Sequence, residues 1–249
     1  MVYDRKRGHT LLFGGLTWVK ADNQGLLPVT LNDTWAWDGV FWTQVSDMGP
    51  AYLNPFRLPR RSIAMTYDVL RELVVLYSEG ETWIWDGKYW SQVADTGPLR
   101  RFEEHEIGLA YLPHKEKVYA HGNMGMGTWS WDGNEWLQVA DTGPDRSLQA
   151  VGCDEQRERL ILFEGETGVT WECDGEIWKP ITSVGPGKGI DVKLTGDATR
   201  VVAYATQISD NRPAGRGTWI WENSHWKQVE NMGPVPRIDS ALVSCNRGS

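Results

Sequence analysis

The chain has 249 residues, 41% of them apolar, and 33 acidic against 25 basic side chains give it a net charge of −8. A length of this order suits one sizeable all-β domain. No apolar run approaches the ~18 residues that span a bilayer, no leader-like segment precedes the charged run from Asp4 to Arg7, and an acidic balance offers no cationic surplus for a phosphate backbone; membrane and nucleic-acid partners are not expected, and a cytoplasmic location is favoured.

Residues 1–4 read as half a strand, followed by the polar turn "DRKRG" and the apolar strand "TLLFGG" from Thr10. Residues 16–31, "LTWVKADNQGLLPVTL", then form the longest irregular stretch, expected to be a loop. It holds Trp18, the one tryptophan of 15 outside the pattern that comes next. That pattern is "TWAWDGVFWTQVSDMGP" from Thr34, three tryptophans around Asp-Gly with Gly-Pro at the end. Asp-Gly between aromatic and β-branched runs signals a two-residue type I′ hairpin. Such a turn sets Trp37 opposite Val40 and Trp35 opposite Trp42, an aromatic cross-strand pair.

The same unit returns as "TWIWDGKYWSQVADTGP" from Thr82, "TWSWDGNEWLQVADTGP" from Thr128, "TWECDGEIWKPITSVGP" from Thr170 and "TWIWENSHWKQVENMGP" from Thr218. From the first Trp to the Pro the count is fifteen in every copy, while the copies are spaced by 48, 46, 42 and 48 residues. A constant unit with variable surroundings is a structural repeat, and its tryptophans are scaffold before they are sites. Ahead of each hairpin lie two more short apolar strands, such as "IAMTYD" at Ile63 and "LVVLY" at Leu73, joined by a turn rich in Asp, Arg and Lys. No segment shows helical apolar spacing, and four strands per period in the forties mean propeller blades. Five hairpins give a five-bladed all-β propeller of four-stranded antiparallel blades, at roughly 1–50, 51–98, 99–144, 145–186 and 187–234. The terminal copy "SALVSCN" from Ser240 then closes the ring as a strand in 235–249; the alternative is part of a six- or seven-bladed ring.

These features resemble the kelch-repeat family over essentially the whole chain. The carrying residues are "MVYDRKRGHTLLFGG", with Tyr3-Asp4 before the strand that ends in Gly14-Gly15, then "NDTWAWDG" and Trp42. Later copies keep Tyr67-Asp68 and the closing tryptophans but lose the double glycine. The Trp-Asp dipeptides also invite comparison with WD repeats, whose Gly-His has no regular counterpart here. The kelch resemblance implies a propeller and leaves the activity open, because kelch-type sugar oxidases and sialic acid mutarotases need copper ligands or a carboxylate-His-Arg pocket not evident in these residues.

Function is therefore expected where the repeat breaks, at Trp18 and the irregular loop 51–61. A basic residue follows each Gly-Pro: Arg61, Arg100 or Arg101, Arg146, Lys188 and Arg237. They are candidates for one cationic mouth that holds a carboxylate or acidic segment, against the plainer role of pairing with the loop acids Asp47, Asp95 and Asp141. The run "RRFEEHE" gathers the one His-carboxylate cluster, around His105. Cys153, Cys173 and Cys245 replace apolar repeat residues and read as buried thiols. The expectation is a non-enzymatic propeller without cofactor or metal that binds a protein segment or small polar ligand through Trp18, Arg61, Arg101, His105, Arg146 and Arg237. A carbohydrate-binding lectin or a sugar-processing enzyme is the alternative.

Overall fold

The computed structural model describes residues 1–21, 25–50, 63–78, 80–98, 107–122, 125–145, 149–188, 190–196, 199–209, 212–231 and 242–243. Twenty strands fall into five four-stranded antiparallel sheets, each strand paired with its sequence neighbours. The first blade is β1 (Val2–Asp4), β2 (His9–Ala21), β3 (Gly25–Trp37) and β4 (Trp42–Ser46). The second is β5 (Ile63–Asp68), β6 (Leu73–Ser78), β7 (Glu81–Trp85) and β8 (Trp90–Ala94). The third is β9 (Ile107–Leu112), β10 (Lys117–Gly122), β11 (Gly127–Trp131) and β12 (Trp136–Ala140). The fourth is β13 (Gln149–Asp154), β14 (Arg159–Glu164), β15 (Val169–Cys173) and β16 (Trp178–Thr182), and the fifth β17 (Ile190–Gly196), β18 (Val201–Ser209), β19 (Arg212–Glu222) and β20 (His225–Glu230). The first strand of each blade lines an axial cavity of about 130 Å³, and the fourth strand lies outermost. The chain is a five-bladed β-propeller.

The hairpin register differs from the expected one. Trp37 pairs with Trp42 and Trp35 with Gln44, and the same shift recurs as Trp85/Trp90, Trp131/Trp136, Cys173/Trp178 and Trp221/Trp226. In four copies the aspartate closes the turn that goes with this register. Asp38 Oδ1 accepts from the N–H groups of Val40 and Phe41 at 2.7 and 2.8 Å, and of the two turn residues Gly39 alone has positive φ. Asp86, Asp132 and Asp174 do the same, so the loop spans four residues rather than two. Only the fifth copy, where Asp-Gly is missing, makes a two-residue turn with both φ values positive, at Asn223 (49°) and Ser224 (64°). Ring centroids in the four Trp/Trp pairs are 5.0–5.5 Å apart.

Blades are joined by one device used four times. Trp90, Trp136, Trp178 and Trp226 donate the indole N–H to the hydroxyls of Thr34, Thr82, Thr128 and Thr170 in the preceding blade, at 2.8, 2.7, 2.7 and 2.8 Å. Each indole also meets an aromatic ring of that blade: Phe13, Tyr77, His121 or Phe163. The glycine of the Gly-Pro covers its other side. A Cβ on Gly49, Gly97, Gly143 or Gly185 would lie 3.3, 2.8, 2.7 or 2.5 Å from the indole Cδ1. Thr and Gly thus grip one ring from two ends of the same unit, which fixes the count between them.

A second set of ties lies at the opposite end of the blades. Asp4 and Asp68 are fully buried, and each binds the guanidinium three residues on, Arg7 or Arg71, at 2.8 Å. Those guanidinium groups reach the next blade and donate to the carbonyls of Asp86 and Asp132. They rest against Gly87 and Gly133, where any Cβ would collide with them. In the fourth blade Arg157 turns back to Glu172 instead.

Candidate functional site

The irregular stretch 16–31 is paired β-structure rather than loop. β2 and β3 stay in register from Leu16 opposite Thr30 to Ala21 opposite Gly25, forming a two-stranded arm. The double glycine is where the arm leaves the blade: Gly14 and Gly15 have φ of 64° and 133°, and the register shifts there by a bulge. This is a local reason for two glycines in the one blade that carries them. β18 and β19 form a second arm in the fifth blade, from Tyr204 opposite Thr218 out to Ser209 opposite Arg212. In the second, third and fourth blades the corresponding connections are 79–80, 123–126 and 165–168. Antiparallel order puts both arms at the same end of the ring as the Gly-Pro loops.

Alternation along the first arm sorts its side chains. Leu16, Trp18 and Leu26 share one face with Pro28 and Thr30, and Trp18 is 55% and Leu26 64% exposed. Trp18 therefore does not fold back over the ring with its neighbours. Hydrogen bonds to other strands end short of this region, since β1 meets β2 only as far as Leu11 and β4 meets β3 from Thr34 onward. Both edges of the arm are open to an added strand among the described residues.

Of the residues expected to bind, Trp18 is the one the structure describes. Arg61, Arg101, His105, Arg146 and Arg237 lie outside the described residues, as do Arg100, Cys245 and the irregular loop 51–61. Lys188 and the acids Asp47, Asp95 and Asp141 are exposed. Apart from Leu242 and Val243, which are not in a strand, the expected closing strand is also outside them. Cys153 and Cys173 are free buried thiols, and burial pushes both up, Cys173 to about 11, which keeps them from acting as thiolates. Among the described residues no three His, Cys, Asp or Glu side chains are placed to hold a metal, and no helix is long and apolar enough to cross a membrane.

The axial cavity ends in a feature that sequence reading missed. Arg5, in the first blade's β1–β2 turn, is paired with Glu155, in the corresponding turn of the fourth blade, across the mouth of the cavity. The Asp-x-x-Arg spacing shared by Asp4/Arg7, Asp68/Arg71 and Asp154/Arg157 was the visible signal that these turns carry ties and are more than polar connections.

No protein-family model matches the chain, and neither does any curated protein. Solved structures do resemble it. A chain of the nidogen/laminin complex aligns with TM-score 0.53 at 12% identity, covering 91% of this chain and 81% of that one. A mutant Aleuria aurantia lectin bound to Fucalpha1-6GlcNAc gives 0.52 at 13%, with coverage of 91% and 81%. A catalytically inactive virginiamycin B lyase from Staphylococcus aureus with quinupristin gives 0.50 at 7%, with 86% and 88%. At these identities the likeness is one of fold alone.

Proposed function

We propose that this propeller is a non-enzymatic binding protein of kelch-like repeats that takes an extended protein segment along its first arm, with Trp18 as the anchor. The exposed Leu16–Trp18–Leu26 face is the observation that carries the reading. An open two-stranded ribbon supplies main-chain donors and acceptors for a third strand, while alternate side chains of the guest meet the apolar face. Trp is also the residue most often found at the energetic centre of such contacts. Arg61, Arg101, Arg146 and Arg237, which follow the Gly-Pro pairs in the sequence, would select acidic flanks of the segment.

A sugar can also stack on an exposed indole, and the lectin among the fold neighbours binds one, so the experiment separates the two ligands. The chain and its Trp18→Ala variant are screened against a displayed library of extended peptides and against a glycan array. Selected peptides should bind the variant at least about tenfold more weakly, as expected for loss of an aromatic anchor, with the melting temperature unchanged. Glycan binding without peptide binding would replace this reading by the lectin one. Equal binding by the variant would remove the arm from the site.

A further inference from the structure

Among the described residues, five blades share four cores. Apolar clusters join the first blade to the second, the second to the third, the third to the fourth and the fourth to the fifth. Each of these interfaces has its indole-to-threonine hydrogen bond. Among the described residues neither a cluster nor such a bond joins the fifth blade to the first. The inner strands follow the same rule: β1 packs on β5, β5 on β9, β9 on β13 and β13 on β17, with no comparable packing of β17 on β1.

Both surfaces that would make the fifth interface are nevertheless built. Tyr204 stands opposite Thr218 in the register that sets Phe13 opposite Thr34, Tyr77 opposite Thr82, His121 opposite Thr128 and Phe163 opposite Thr170. Thr218 is half-buried, whereas the other four threonines are fully buried. Val202, the counterpart of the buried Leu11, Val75, Tyr119 and Ile161, is likewise half-buried, and so is Ile220 beside it. On the first blade, Trp42 occupies the place of the four gripped indoles and is 42% exposed. Trp37 is half-buried where Trp85, Trp131 and Trp221 are buried. Leu242 and Val243 line the axial cavity with the inner strands, in a stretch "LVSCN" that repeats the order of "AVGCD" at Ala150 on β13.

We propose that the space between the fifth and first blades is a docking slot for one further β-sheet of this same repeat. The incoming sheet would place an indole N–H on Thr218 beside Tyr204 and offer a threonine hydroxyl to Trp42, with its inner edge at Leu242 and Val243. The four existing interfaces say what covers such faces: complementary blades, joined by one indole, one hydroxyl and an apolar layer. Direct closure would have seated Trp42 on Thr218, and these two residues are the ones left out of the pairing.

Two measurements test this. In the unmodified chain, Trp42→Ala and Thr218→Val should each shift the melting temperature by less than about 4 °C, well short of Trp90→Ala, since among the described residues no neighbouring blade covers either face. A loss as large as that of Trp90→Ala would mean that the chain covers them itself, and would overturn the proposal. The second measurement appends a copy of residues 72–98, the outer three strands of the second blade, after Ser249. The extended chain should melt higher by roughly 5 °C or more, and the same two substitutions should then abolish the gain. No gain, or a gain that survives both substitutions, refutes the slot. Concentration-dependent dimers of the unmodified chain that disappear in Trp42→Ala would show a second copy on these faces and refute it as well.

Discussion

His121 holds the place that Phe13, Tyr77 and Phe163 hold in other blades, and it is buried with both ring nitrogens occupied. Nδ1 lies 2.8 Å from the Thr128 hydroxyl and Nε2 2.9 Å from the Pro144 carbonyl. A carbonyl can only accept, so Nε2 carries the proton and Nδ1 accepts from the hydroxyl, whose oxygen accepts in turn from Trp178. Burial lowers the His121 pKa to about 4 from the ordinary imidazole value of 6.5. Between those values the unfolded chain binds a proton that the folded one refuses, so the group's contribution is whole above about pH 6.5 and is lost as pH falls toward 4. The interval corresponds to roughly 3 kcal/mol. Urea melts of His121→Phe, a ring that fits at this position in two sister blades, should show a flatter dependence between pH 7 and 4 than the parent; parallel curves would assign the acid loss elsewhere. The sequence presents this histidine only as part of an apolar strand, because its partners come from Thr128 and the next blade's Trp178, which lie at distances along the chain that no local pattern reveals.

The hairpin was legible as an element and misleading in its register. Asp-Gly signals a tight turn, and a tight turn is what forms, but the aspartate side chain captures two N–H groups and lengthens the loop by two residues. The same tryptophans face each other in the fifth copy without that carboxylate, through a two-residue turn at Asn223 and Ser224, so the pairing belongs to the repeat and the aspartate shapes only the loop that closes it. Strand existence was plain from alternation and from the repeat, whereas the 16–31 arm was hidden because Gly25 and Pro28 are loop-forming residues that here sit in a ribbon held by its ladder. The value of a hairpin depends on whether a preceding blade grips it. Trp90→Ala removes a bond to Thr34 and contacts with Phe13 and Trp85, and should cost about 3–5 kcal/mol. Trp42→Ala, the same change in the same motif, should cost less than about 1.5 kcal/mol, since among the described residues the one ring it meets is Trp37 and it is 42% exposed. Equal losses in chemical denaturation would show that position in the ring does not matter.

At the scale of the molecule, core clusters and indole-to-threonine bonds among the described residues join blades two to four on both faces and blades one and five on one. A linear array of this kind opens from its ends, because a terminal unit loses one interface while an internal unit must lose two. Amide exchange should accordingly be slowest in β6, β10 and β14 and faster in β2 and β18; uniform protection around the ring would mean that the two end blades are joined. The grip of Thr and Gly on one indole has a different consequence, for how such a chain can change over generations. It works as a caliper whose jaws are set fifteen residues apart, so one residue added or lost between them pulls a jaw off the ring and costs an interface. The five copies differ in length only outside the jaws, as in the β2–β3 and β18–β19 arms, which leave the propeller at the end that carries the Gly-Pro pairs. Extra length can therefore be added at that end without loss of an interface, while at the end with the Asp–Arg ties the first and second strands are joined by four residues in every blade.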